Sequence, residues 1–141
     1  MEERWVKQME HLTESLSGGK IGYVYISAMD DNNYRLFYGQ VLGRNVNNEA
    51  LIVDTRFNNG CNVLDLLTSF LSDKLTERRQ GTLTHFDEPG TKWYKPSCIV
   101  MSGANYSDSF RVPFVYENHG LGKLVGMPVP GTGTATAMNS N

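Results

Sequence analysis

Ala50-Leu51-Ile52-Val53-Asp54 is apolar without interruption until an aspartate closes it. A run that short and unbroken reads as a strand. Thr55-Arg56-Phe57-Asn58-Asn59-Gly60 follows as a loop. From Cys61 the period changes, and Val63, Leu64, Leu67, Phe70, Leu71 and Leu75 fall on one face over about four helical turns. Strand, Gly/Asn-rich turn, helix is the result, and the remaining chain alternates in the same sense without a repeat or an internal linker. That alternation predicts a single α/β unit with a mainly parallel sheet flanked by helices.

The other segments fit this plan. Trp5, Met9, Leu12 and Leu16 stand at helical spacing in Glu2 to Leu16, and Gly18-Gly19 stops the helix. Lys20 to Ile26 sets Ile21, Tyr23 and Tyr25 against Val24 and Ile26, which is the pattern of a strand covered on both faces. Asp30, Asp31 and Asn32 are capping residues for a helix whose apolar face is Tyr34, Phe37, Tyr38, Val41 and Leu42. Glu77 to Trp93 is polar, contains Gly81 and Pro89-Gly90, and reads as a surface crossing.

Ser97 to Met101 is a further buried strand bounded by Pro96, and the small and polar residues up to Asp108 form a tight turn at its carboxyl end. Phe110, Phe114 and Val115 then suggest a helix that contains Pro113, so this helix is either kinked or begins near Val112 with the proline in its first turn. Gly120-Leu121-Gly122 ends it, and Lys123 to Gly126 is a short last strand. Residues 1–126 are expected to form the core domain. Residues 127–141 have no periodic pattern and are expected to be a mobile tail, or one exchanged with a neighbouring chain.

With 141 residues, one core is expected. A formal net charge of -2 supplies no basic field, which argues against nucleic-acid binding. No apolar run approaches the roughly 20 residues needed to cross a bilayer, and the amino terminus is a charged amphipathic segment instead of a signal peptide. A soluble chain is the expectation, with its compartment left open. Cys61 and Cys98 lack the paired short spacing of a zinc or redox site, so no metal is expected. No phosphate loop or dinucleotide fingerprint precedes a helix, so no cofactor is expected either.

Ligands of open parallel sheets bind at the carboxyl ends of the strands, which draws attention to Ser107. A serine is nucleophilic only with a base in reach and donors for the oxyanion. A helix starting near Ser107 would aim the Asp108 amide at the site, and a second amide would come from the Gly60-Cys61 turn at the neighbouring strand's end. On spacing alone, Ser107 and Asp108 are equally the residue types that cap helices, and this reading is the more economical one. The base is not evident. His11 lies on the first helix among charges, His85 in the polar crossing, and His119 12 residues after Ser107 at the far end of the next segment. Lys95 and Lys123 are the nearest lysines and belong to no motif. Asp54, closing its strand, is expected to be tied to a nearby amide or to Arg56, and Arg56 to serve as its ion-pair partner rather than as a clamp for a peptide carboxylate.

Four blocks, in this order, resemble a known family: Gly19-Lys20-Ile21-Gly22-Tyr23-Val24-Tyr25-Ile26, Leu51 to Gly60, Ser107-Asp108, and Gly120-Leu121-Gly122-Lys123-Leu124-Val125-Gly126. Together they are similar to the catalytic core of tricorn protease and its relatives among the C-terminal-processing serine peptidases, from Trp5 to about Gly133. The resemblance implies a fold related to Clp protease and crotonase and a serine peptidase acting on peptides. It matches Ser107 to the nucleophile, the Asp108 amide to one oxyanion donor, and the Gly60-Cys61 turn to the other. Cys61 stands where the family usually has glycine, and Tyr106 where it has a small residue. The family's catalytic histidine and a supporting glutamate lie in regions before and after this core, which implies that the base comes from outside these residues.

The chain is therefore expected to be a peptidase core that is inactive or nearly so alone, with a peptide as substrate and the remaining domains of a parent protein as partners. Two rivals remain. One is a non-catalytic peptide-binding or assembly module of the same fold, forming a homo-oligomer through its tail. The other is an acyl-CoA enzyme of the crotonase type, which would bind thioesters without a serine nucleophile.

Overall fold

The structure, a computed structural model, describes residues 1–58, 64–71, 92–104 and 108–126. Its elements alternate: α1 (Glu2–Ser17), β1 (Ile21–Tyr25), α2 (Asp31–Leu42), β2 (Ala50–Asp54), α3 (Leu64–Leu71), β3 (Ser97–Met101), α4 (Asp108–Asn118) and β4 (Lys123–Gly126). The four strands lie in sequence order and every pair is parallel. Tyr25 sits opposite Asp54, Asp54 opposite Val100, and Met101 opposite Gly126. Register thus brings the carboxyl ends of all four strands to one edge of the layer.

Local chemistry sets the boundaries of these elements. Gly18 ends α1 in a left-handed conformation at φ 63°, which glycine adopts without a Cβ penalty. Asp30 caps α2, its carboxylate accepting from the Asn33 amide at 2.8 Å. Hydrogen bonding to that exposed carboxylate, from the Asn33 backbone first and its side chain second, holds its pKa below the ordinary value. At the end of β4, Gly126 has φ 115°, and a Cβ there would run into the Met101 carbonyl, so only glycine closes this pairing.

Alternation along the strands sorts side chains to two faces. Val24, Leu51, Val53 and Ile99 are buried on one face, in a cluster with Phe37 and Val41 of α2, Leu67, Phe70 and Leu71 of α3, and Val112 and Tyr116 of α4. Phe70 packs between two α2 rings, 5.6 Å from Phe37 and 5.1 Å from Tyr38 between centroids. On the other face α1 lies over β1, where Trp5 meets Tyr25 edge-on at 5.2 Å. None of the α1 residues is fully buried, and Leu12 and Leu16 point to solvent. The expected apolar stripe of this helix is therefore only half used.

One expectation needs correction, and one pair of alternatives is decided. Trp93 was placed at the end of a surface crossing, yet it is buried, as is Lys92, and its amide donates to the Phe70 carbonyl at 3.0 Å. Polar neighbours in sequence concealed an aromatic that the core recruits. Of the two alternatives for the helix containing Pro113, the structure takes the one with the proline inside: α4 starts at Asp108, not near Val112, and runs through it. Proline in a helix interior costs about 3 kcal/mol, while burial of Val112 and of the Tyr116 ring stabilises by about 1.5–3 kcal/mol each. Packing outweighs the missing donor.

Candidate functional site at the strand carboxyl ends

Asp54 closes β2 with its carboxylate fully buried. Burial of a carboxylate needs partners, and this one has them. Oδ2 accepts from the Tyr23 hydroxyl at 2.7 Å and from Arg56 Nη2 at 2.6 Å, while Oδ1 accepts from the Arg56 amide at 3.0 Å and Nε at 3.1 Å. Tyr23 lies on the same sheet face as Asp54, two positions back in register, so its ring spans the diagonal between strands. Burial first, and the bond to Asp54 second, push the Tyr23 phenol far above its ordinary pKa. The Asp54 hydrogen bonds likewise raise Arg56. The expected pairing of Asp54 with a nearby amide and with Arg56 is what the structure has.

From this anchor the chain leaves β2 held on both sides. Thr55 donates its amide and its hydroxyl to the Val100 carbonyl of β3, at 2.9 and 3.0 Å. Toward β1, the Tyr25 hydroxyl donates to the Arg56 carbonyl at 3.0 Å, and Asn58 Nδ2 donates to the Ile26 carbonyl at 2.8 Å. Asn58 is fully buried and its amide turns back to the Thr55 carbonyl at 3.2 Å. Between these anchors Phe57 adopts φ 63° and is left 60% exposed. Sequence reasoning missed Thr55, Phe57 and Asn58 as a unit, because nothing in a polar run distinguishes a pinned turn from a solvated one.

Among the proposed site residues, the structure describes only Asp108, which begins α4 just past the carboxyl end of β3. An amide at the first position of a helix has no intrahelical acceptor. Ser107, Gly60 and Cys61 lie outside the described residues, as does His85. His11 is exposed on α1, and His119 follows α4, about 16 Å from Asp108 at 1.5 Å per residue. Lys123 opens β4 at the opposite end of the sheet. Lys95 also lies there, donating to the Val46 and Asn48 carbonyls at 2.7 and 2.8 Å. Of the candidate bases, His119, Lys95 and Lys123 are thus placed away from the start of α4.

No described helix is long and apolar enough to cross a membrane. Among the described residues, no three His, Cys, Asp or Glu side chains gather in a way that could hold a metal ion.

Comparison with known proteins bears on this arrangement. Residues 20–140 match the family model described as peptidase family S41. The tricorn protease of Thermoplasma acidophilum is 31% identical over 125 residues, covering 86% of this chain and 11% of that protein. A tricorn protease homolog of Saccharolobus solfataricus is 28% identical over 127 residues, with coverage of 86% and 11%. The crystal structure of the tricorn protease superposes with a TM-score of 0.69 at 29% identity, over 87% of this chain and 12% of that one. A photosystem II D1 C-terminal processing protease shares the fold at a TM-score of 0.53 and 16% identity, over 74% and 29% of the two chains. The chain thus has the α/β core of these peptidases, related to Clp protease and crotonase, and spans between 10% and 14% of the length of the curated relatives it matches.

Proposed function

The chain belongs to peptidase family S41, and from that membership we propose that it is the catalytic core of a serine peptidase whose nucleophile is Ser107. The observation that carries this reading is the position of the α4 start, at Asp108, one residue beyond Ser107 and at the carboxyl edge of a parallel sheet. In the proposed reaction the Ser107 oxygen attacks a peptide carbonyl carbon. The oxyanion of the tetrahedral intermediate is held by the Asp108 amide and by an amide of the Gly60-Cys61 turn. The serine proton passes to a base supplied from outside these residues and then to the leaving amine, and water releases the acyl group. Residues 1–126 form the core in this reading, with 127–141 as its tail.

A fluorophosphonate probe tests the nucleophile. In the parent protein, where the base is supplied, adduct on Ser107, located by mass spectrometry and absent in Ser107→Ala, is the expected result, while the 141-residue chain by itself turns over no peptide substrate. Efficient hydrolysis that disappears in Ser107→Ala would place a base within the chain. A thioester that binds while Ser107 stays unlabelled would favour acyl-CoA chemistry.

A second reading, a non-catalytic assembly module, is favoured by one observation: β4 is mostly exposed at the sheet edge, with Val125 half exposed. Light scattering on the full chain and on one ending at Gly126 separates the two. A mass that falls on truncation supports assembly through the tail, and equal monomer masses remove it.

A further inference from the structure

Phe57 combines two properties that seldom occur together. Its backbone is left-handed, an unusual state for a bulky side chain, and the residue is left 60% exposed. Such conformations persist where the surroundings impose them, and they concentrate at ligand-binding sites. Here the surroundings are explicit: Arg56 is held by Asp54 before it, and Asn58 is held by the Ile26 carbonyl after it. The fold therefore keeps an aromatic ring at the carboxyl edge of the sheet without using it as core.

The ring has a fixed backing. Trp5 stands 6.4 Å from Phe57 at 72°, and 5.2 Å from Tyr25 at 89°, so three aromatics form a row along this edge. The only cation against that row is Arg56, 4.8 Å over the Trp5 ring among the described contacts, and its charge is already met by the buried Asp54 carboxylate. The row thus offers apolar area with its one described cation neutralised and the Glu2 carboxylate acting on Tyr25, which suits an uncharged side chain and disfavours an acidic one.

We infer that the Phe57 ring, backed by Trp5, is a subsite for an uncharged apolar side chain of the peptide substrate. This rests on the peptidase reading above. Phe57 precedes Gly60 by three residues, so chain connectivity keeps the two within about 11 Å. An extended peptide rises about 3.3 Å per residue, so a peptide whose cleaved bond lies at the Gly60 turn places a side chain near the ring within about three residues of that bond.

The experiment compares acetylated and amidated hexapeptides that differ at one position, Leu, Gly or Glu, binding to the 141-residue chain by isothermal titration calorimetry. The Leu peptide is expected to bind about five- to tenfold more tightly than the Gly peptide, the ratio that partial burial of one such side chain supplies, and the Glu peptide no better than Gly. Phe57→Gly removes the ring and relieves the backbone, so its melting temperature should not fall, and the Leu preference should vanish. Ser107→Ala should retain it. Equal affinities in the parent chain, no measurable binding of any peptide, or an unchanged preference in Phe57→Gly would each overturn the inference. A Leu preference lost in Phe57→Gly, found while the fluorophosphonate fails to label Ser107 of the parent protein, upholds the subsite and removes only the nucleophile assignment.

Discussion

The Tyr23 hydroxyl donates a 2.7 Å hydrogen bond to Asp54 Oδ2, joining residues 31 positions apart on adjacent strands. This bond ties the end of β2 to the body of β1 from beneath, while Arg56 meets the same carboxylate from the solvent side. Everything proposed for the loop after β2 starts from that anchored carboxylate. Without Asp54 the buried Tyr23 hydroxyl would lose its acceptor, whereas without Tyr23 the carboxylate would keep its bonds from Arg56.

Tyr23→Phe removes the hydroxyl and keeps the ring. Because the lost bond is buried and its acceptor is ionised, stability should fall by about 1.5–3 kcal/mol. Urea denaturation with an unchanged m-value measures this, and a loss within error of zero would show that Arg56 alone satisfies Asp54.

Pro113→Ala sets two effects against each other inside α4. Restoring the amide recovers about 3 kcal/mol of helix stability, and trimming the buried ring by two methylenes costs about 0.8 kcal/mol each. A net gain on the order of 1 kcal/mol is expected in the same urea assay. A net loss would mean that the neighbouring side chains depend on the ring's shape.

Gly122→Ala should destabilise. A Cβ there would overlap the Ser97 carbonyl oxygen and the Tyr116 hydroxyl, which itself bonds Ser97 Oγ at 2.6 Å. Overpacking of this kind costs about 1–3 kcal/mol, more than the roughly 0.4–1 kcal/mol that alanine contributes by restricting the unfolded chain. Adding Tyr116→Phe should recover part of the loss, since it removes the hydroxyl, although the ring carbon that carried it stays 2.9 Å from the added Cβ. Thermal melts of the single and double variants measure both effects.

Alkaline pH should weaken the fold in a defined window. Burial pushes the Tyr34 and Tyr116 phenols up to about 12, from an ordinary 10. The folded state therefore holds protons that the unfolded state releases. Stability is fully present below pH 10 and falls as pH rises from 10 toward 12, by at most about 1.4 kcal/mol per pH unit for each phenol. Denaturation at pH 9 and 11, with phenolate absorbance followed in parallel, checks the sign. Equal stability at the two values would contradict it.

The sequence by itself determined the order of elements, the parallel sheet and the pairing of Asp54 with Arg56, because each is encoded locally: unbroken apolar runs, helical spacing, and a carboxylate two residues from a guanidinium. The resemblance of its four blocks to the tricorn peptidases was legible for the same reason, and the family match over residues 20–140 agrees with it. Only the tertiary structure decided that Trp93 enters the core, that α4 runs through Pro113, that half of the α1 stripe faces solvent, and that Tyr23, Trp5 and Asn58 fasten the turn holding Phe57. Those outcomes depend on contacts between residues tens of positions apart. Packing and buried hydrogen bonds there are worth as much as the local preferences they override, and no local pattern records which distant partner will arrive.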